Sequence, residues 1–311
     1  VNIRFYRWTK RIVIGIAVAT GLILFVVLPL AGSYMITNTH FRYPEHGPQT
    51  PAEVGLSVTP VTFYSSDGIE LRGWWSPGNR MKAVIIFCHG WNRSRLELLE
   101  RAAEANRQGY GVLLFDFRNH GQSGLAYTTL GIQESKDVCA ASQLVRERAG
   151  RRPQVLWGVS MGASTAILGA HRCSAFRAII ADSSFLSFRE TVAHHLNLFL
   201  HLPPFPIADL IVELTSLRMR MNPDDGNVEA AVESLTNVPI LFIAGEKDRR
   251  MPPSLAQRLR DASTNPQSEM LLVPGAGHGE AFSTNKKLYL DTVFAFLSRA
   301  VPFSAGPGDR S

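Results

Sequence analysis

Three cysteines in 311 residues are too few for a disulfide framework, and no two of them stand in a C-x-x-C pair. Buried free thiols are the expected state of Cys88, Cys139 and Cys173, and a Cys139–Cys173 disulfide is the alternative for a domain outside the cytoplasm. His194, His195 and His201 have no acid or cysteine at ligand spacing, so no metal site is expected. The chain has no phosphate-cradling glycine loop, no dinucleotide fingerprint and no internal repeat, and no cofactor is expected. The net charge of +6 suggests an acidic partner, but Arg4, Arg7, Lys10 and Arg11 supply four of it and leave +2 for everything else. Without a basic stripe interleaved with aromatics, nucleic-acid binding is not supported.

Charge is also missing from Ile12 to Leu30, an apolar run just behind that basic flank. At about 1.5 Å per residue the run, continued through Met35, crosses a hydrocarbon core of about 30 Å. Residues 1–38 therefore read as a basic flank and a transmembrane anchor. The positive-inside rule places the N-terminus in the cytoplasm and the remaining chain outside. A signal peptide cleaved near Leu30-Ala31-Gly32-Ser33, giving a secreted protein, is the competing reading, and a buried globular helix is the third. Pro44, Pro48 and Pro51 mark residues 39–57 as a linker, and the polar, glycine-containing residues 301–311 read as a tail.

Between these, residues 58–300 alternate strand and helix patterns. Val58–Tyr64 and Ile69–Trp75 flank Ser65-Ser66-Asp67-Gly68, a hairpin signal. Apolar runs at 83–88, 112–117, 154–157, 178–181, 240–244 and 270–273 then alternate with helical patterns at 95–108, 132–149, 163–170 and 254–262. Such alternation predicts an α/β, doubly wound sheet in one domain. The segment of about 186–238 is too apolar for a plain connection. It reads as a helix packed on the sheet, as a short helical cap forming a pocket that could touch the membrane, or as both.

Gly158-Val159-Ser160-Met161-Gly162 lies between a strand and a helix, the context of a nucleophile elbow. A serine nucleophile needs a base, and the base needs a carboxylate to hold its tautomer. Asp248 follows the strand at 240–244, and His278 lies in the glycine-rich loop after the strand at 270–273. The order Ser160, Asp248, His278 differs from the chymotrypsin and subtilisin orders. Glu246 and Asp182 also stand near strand ends. Asp248 is preferred because Pro252 and Pro253 fix its loop, and Asp182 reads as a cap or turn residue. The peptide N-H groups of Met161 and Trp91 are the expected oxyanion donors. His89 reads as a support of its loop and His120 as part of a turn.

Five loops together, His89-Gly90-Trp91, Asp116 to Gly124, the elbow, Gly245 to Asp248 and Gly275 to His278, resemble those of the α/β-hydrolase superfamily. Within it the chain looks like membrane-anchored or secreted serine hydrolases related to prolyl-oligopeptidase-type and serine aminopeptidase-type domains. The resemblance covers about residues 58–297. It implies a mostly parallel eight-stranded sheet, helices on both faces, and Ser160, Asp248 and His278 as nucleophile, acid and base. Two departures stand out: Arg118-Asn119-His120-Gly121 replaces the Arg-Gly-His-Gly common among relatives, and Trp91 is large enough to narrow an acyl pocket or cover the site. The expected activity is hydrolysis of a carboxylic ester or thioester in a small-molecule or acylated substrate. A serine peptidase and a non-catalytic membrane-tethered binding protein are the alternatives.

Overall fold

A computed structural model describes residues 3–38 and 47–302 of the chain. The expected tail from Phe303 onward lies outside the described residues, as do positions 39–46 of the expected linker. Eight strands form one sheet: β1 (Thr59–Tyr64), β2 (Glu70–Ser76), β3 (Val84–Cys88), β4 (Gly111–Phe115), β5 (Gln154–Val159), β6 (Phe176–Asp182), β7 (Ile240–Gly245) and β8 (Glu269–Val273). Their spatial order is β1-β2-β4-β3-β5-β6-β7-β8. The β1–β2 and β2–β4 pairs are antiparallel and every later pair is parallel, as the family resemblance implies. Gly68, at φ +82°, closes the β1–β2 turn by donating to the Ser65 carbonyl at 2.9 Å.

Helices cover both faces because the central strands are apolar at successive positions, not at alternate ones. Val84, Ile86 and Cys88 of β3 point into one core with α4 (Glu134–Ala149), α5 (Met161–Cys173), α8 (Val228–Ser234) and α9 (Pro253–Ala262). Ile85 and Phe87 point into the other, with α3 (Leu99–Arg107), α10 (Ala281–Thr284) and α11 (Lys286–Ala300). Residues of β3 are at most 1 % exposed, and each large apolar side chain so buried contributes about 1.5–3 kcal/mol. The strand expected over 112–117 stops at Phe115, because the Asp116 carboxylate turns to accept from the Arg95 and Gln122 amides, both at 2.8 Å. Part of the expected linker is docked: Pro51–Val54 form a 3-10 turn, and Val54 packs on the second core.

A third apolar cluster sits apart from the sheet. It joins α6 (Phe188–Leu200) and α7 (Ile207–Met219), both within the 186–238 segment, to the N-terminal helix. That helix runs through α1 (Ile3–Leu22), a π-helical turn (Ile23–Val27) and α2 (Leu28–Thr37). The π turn precedes Pro29, whose ring would clash with the carbonyl four residues back in a regular α-helix. Among the described residues one helix, Phe5–Thr37, is long and apolar enough to cross a membrane or to serve as a signal sequence. Its last two turns are not free: Pro29, Ser33 and Thr37, spaced by four, are buried. Gly32 lets Ile211 approach to where a Cβ would lie 3.0 Å from it. Contrary to the default expectation of free thiols, Cys139 of α4 and Cys173 of α5 are disulfide-bonded, their Cα atoms 5.8 Å apart; Cys88 is free and buried. Positions 139 and 173 are 34 residues apart, and only the packing of α4 against α5 brings them together.

Candidate active site

Ser160 occupies the turn between β5 and α5 at φ +54°, ψ −121°, a conformation that costs a non-glycine residue about 1–3 kcal/mol. Its amide donates to the Asp182 carbonyl at 2.8 Å, which pins the turn to β6. Both flanking glycines are there for space. A Cβ on Gly158 would lie 2.3 Å from the Gly162 carbonyl oxygen, and one on Gly162 would lie 2.0 Å from that of Cys88. The helix therefore starts tight against the end of β3, with the serine above it.

The structure brings Ser160, His278 and Asp248 into one hydrogen-bonded chain from three separate loops. Ser160 Oγ lies 2.9 Å from His278 Nε2, and His278 Nδ1 lies 2.8 Å from Asp248 Oδ2. A carboxylate beside Nδ1 keeps the proton on that nitrogen and leaves Nε2 free to accept from the hydroxyl. Asp248 is itself held: Oδ1 accepts from the Arg250 and Met251 amides at 2.9 and 2.8 Å. Its side chain is fully buried, whereas that of His278 is 14 % exposed. The His278 loop is fixed by the Gly279 amide, which donates to Ser183 Oγ at 3.2 Å.

The other two carboxylates do different work. Glu246 accepts from the Gly275 amide at 2.8 Å and so ties the Asp248 loop to the His278 loop. Asp182, expected as a cap or turn residue, is a fully buried acceptor beneath the elbow. It takes the Tyr289 hydroxyl at 3.1 Å and lies 3.8 Å from Arg101. The ring of Tyr289 reaches it from α11, 107 residues away in the chain, which is why a local reading placed it in a turn.

Met161, the other expected oxyanion donor beside Trp91, is the first residue of α5, where a peptide N-H has no intrahelical acceptor and the helix dipole favours negative charge. The β3 loop faces the serine, since a Cβ on Gly90 would lie 3.6 Å from that of Ser160. Gly90 itself donates to Glu97 at 2.6 Å, an anchor the sequence pattern does not reveal. The Trp91 indole is turned toward the N-terminal helix and donates to the Ile36 carbonyl at 3.2 Å. His89 and His120 brace this loop. Their Nε2 atoms accept from the amides of Phe117 (3.0 Å) and Asn92 (3.1 Å), so each proton sits on Nδ1 and points to a carbonyl. Burial, then the neighbouring His120 and Arg95, holds the His89 pKa well below the ordinary histidine value.

Two α6 histidines approach the site although their spacing gives no hint of it. His194 Nε2 donates to the Arg249 carbonyl at 2.9 Å, beside Asp248. The pKa of His195 is pushed down to about 4 by burial, with Arg250, His194 and His278 adding to the effect. Among the described residues no group of histidine, cysteine and carboxylate side chains could hold a metal.

Known proteins resemble this chain in sequence and in fold. The model of the Alpha/beta hydrolase family matches residues 85–289. The uncharacterised protein YqkD of Bacillus subtilis (strain 168) is 29% identical over 245 residues, 78% of this chain and 80% of that protein. Thiohydrolase aneE of Aspergillus aculeatus is 33% identical over 137 residues, 42% of this chain and 43% of its own. The solved Pyrococcus furiosus esterase Pf2001 has a TM-score of 0.69 at 26% identity, covering 85% of this chain and 98% of that one. Such relatives support hydrolase activity, and the extent of the family match shows that this chain belongs to the alpha/beta hydrolase family.

Proposed function

We propose that the protein is a serine hydrolase that cleaves a carboxylic ester or thioester through an acyl-enzyme on Ser160. The observation that carries this reading is the unbroken chain from Ser160 Oγ through His278 to Asp248, with the serine held in a strained turn. His278 Nε2 takes the hydroxyl proton as Oγ bonds to the substrate carbonyl carbon, and the Met161 and Trp91 amides hold the oxyanion. The bond to the alcohol or thiol then breaks, and the proton on Nε2 goes to that leaving group. Water, deprotonated by the same nitrogen, releases the acid and restores the serine. An alkoxide or thiolate leaves with less protonation than an amine requires, which favours esters and thioesters over amides. The likeness to an esterase and to a thiohydrolase supports the same order.

The protein is also proposed to be membrane-anchored, with its N-terminus cytoplasmic and the hydrolase domain outside. The Cys139–Cys173 disulfide supports an oxidising compartment. Cleavage near Ala31 would cut the helix inside the stretch packed on α7, which supports an uncleaved anchor over a signal peptide. A fluorophosphonate probe, with a panel of acyl esters, acyl thioesters and aminoacyl amides, tests the chemistry. Labelling and ester or thioester turnover that both vanish in Ser160→Ala are expected. Amide turnover well above ester turnover would make it a peptidase, and no labelling of the pure protein would make it a binding protein.

A further inference from the structure

The helical hairpin α6–α7 carries two sets of apolar side chains. One set packs on the N-terminal helix: Leu24, Leu28 and Ile36 join the cluster formed by Phe188, Ile207 and Ile211. Arg218 reaches back to donate to Ser33 Oγ at 2.6 Å and fixes the depth of the contact. The other set is not covered by protein. Phe199, Leu200, Phe205, Leu210 and Leu217 are exposed, Phe205 and Leu217 by 78% and 77%. Five large apolar side chains of one hairpin are thus uncovered, beside the exposed carboxylates of Asp209 and Glu213, which pair with Arg189.

Helix length says what covers them. From Arg11, the last charge of the basic flank, about 20 residues at about 1.5 Å each cross about 30 Å of hydrocarbon and end near Ala31. Ala31 immediately precedes the Gly32–Ile211 contact, so the far boundary of the hydrocarbon falls at the level of α7. A hairpin clamped there cannot stand clear of the lipid. Its exposed apolar side chains then fall near the depth where interfacial segments bury such groups, about 5–10 Å into the headgroup and acyl boundary. From the same hairpin, His194 contacts the Asp248 loop.

We infer that the α6–α7 hairpin is seated in the bilayer surface beside the N-terminal helix, so that the site draws the acyl chain of a membrane-resident ester or thioester directly from the lipid. This inference rests on the membrane-spanning and acyl-hydrolase readings above, and the test separates them. The full chain is placed in phosphatidylcholine vesicles with an environment-sensitive fluorophore on a single introduced cysteine at Val18, Phe205, Leu217 or Ser298, the last on α11 as the aqueous reference. Spin-labelled lipid should quench positions 18, 205 and 217 and leave 298 untouched. Quenching at 18 with 205 and 217 as aqueous as 298 overturns the seating; an aqueous position 18 overturns the span and the inference with it. In the same vesicles, Phe205→Ser combined with Leu217→Ser should lower kcat/KM at least tenfold for a long-chain acyl ester dissolved in the bilayer, with a water-soluble acetyl ester unaffected. Equal loss on both esters, or on neither, overturns delivery from the lipid. Absence of turnover of either ester by the unsubstituted protein defeats the acyl-hydrolase reading, and delivery with it, while the quenching still reports the seating.

Discussion

Asp248→Asn is the sharpest test of the site because the surroundings dictate how the new amide must sit. Oδ1 of Asp248 accepts two backbone amides, so the asparagine oxygen has to stay there and its NH2 takes the place of Oδ2. That NH2 then faces His278 Nδ1 from 2.8 Å and cannot accept from it. The imidazole must move its proton to Nε2, where it meets the Ser160 hydroxyl with a donor instead of an acceptor. The substitution changes no shape, and a catalytic loss of about 10⁴-fold is expected, equivalent to about 5 kcal/mol in the barrier. Ester turnover over a range of pH measures it, with urea unfolding as a check that the fold is kept. Glu246→Gln, altering only the tie to the Gly275 amide, should stay within about tenfold of the unsubstituted protein on the same scale. Activity of Asp248→Asn within tenfold of normal, or a collapse in Glu246→Gln alone, would refute Asp248 as the acid.

Gly162→Ala should destabilise by more than the about 3 kcal/mol of ordinary overpacking, because the obstacle 2.0 Å away is the Cys88 carbonyl and backbone cannot yield as a side chain can; the urea midpoint reads this. Acid should weaken the fold through His89 and His195. Their folded pKa values lie below the unfolded value of about 6.5, so the unfolded chain binds more protons between about pH 4 and 6.5. Stability then rises with pH by up to about 1.4 kcal/mol per unit per histidine in that window and levels off above it. His195→Gln should flatten the slope, and an unchanged slope would remove His195 from the account. Replacing Cys139 and Cys173 together by serine should cost about 3–4 kcal/mol for a closed loop of 34 residues, read as a lower unfolding midpoint under non-reducing conditions.

The features legible in the sequence are those with a local cause. Glycines at 158 and 162 around a serine, and carboxylate and imidazole just past apolar runs, are backbone requirements written in neighbouring residues. Continuous apolar strands likewise announce a sheet covered on both faces. What stayed hidden depends on contacts between distant segments. Nothing near Asp182 indicates that Tyr289 and Arg101 will bury it, and nothing near Trp91 indicates that its indole will reach Ile36. The docked end of the N-terminal helix did leave a trace, since Pro29, Ser33 and Thr37 recur at one-turn spacing in an otherwise apolar run. Small and polar residues on one stripe of such a helix mark a contact with another helix. Hydropathy, which averages over all sides, passes over that stripe.

The N-terminal helix therefore divides into stretches with unequal tolerance for change. Along Ile12–Leu22, almost wholly exposed, any apolar residue serves as well as another, and an unrelated run of the same length should leave the domain as it is. Along Leu28–Thr37 the choice is narrow. Gly32 leaves room for Ile211, Ser33 receives Arg218, and the Ile36 and Thr37 carbonyls hold the Trp91 indole and the Thr128 amide. Among descendants of this chain, substitutions should accumulate freely in the first stretch and slowly in the second, where the helix is inherited together with the loop that flanks Ser160.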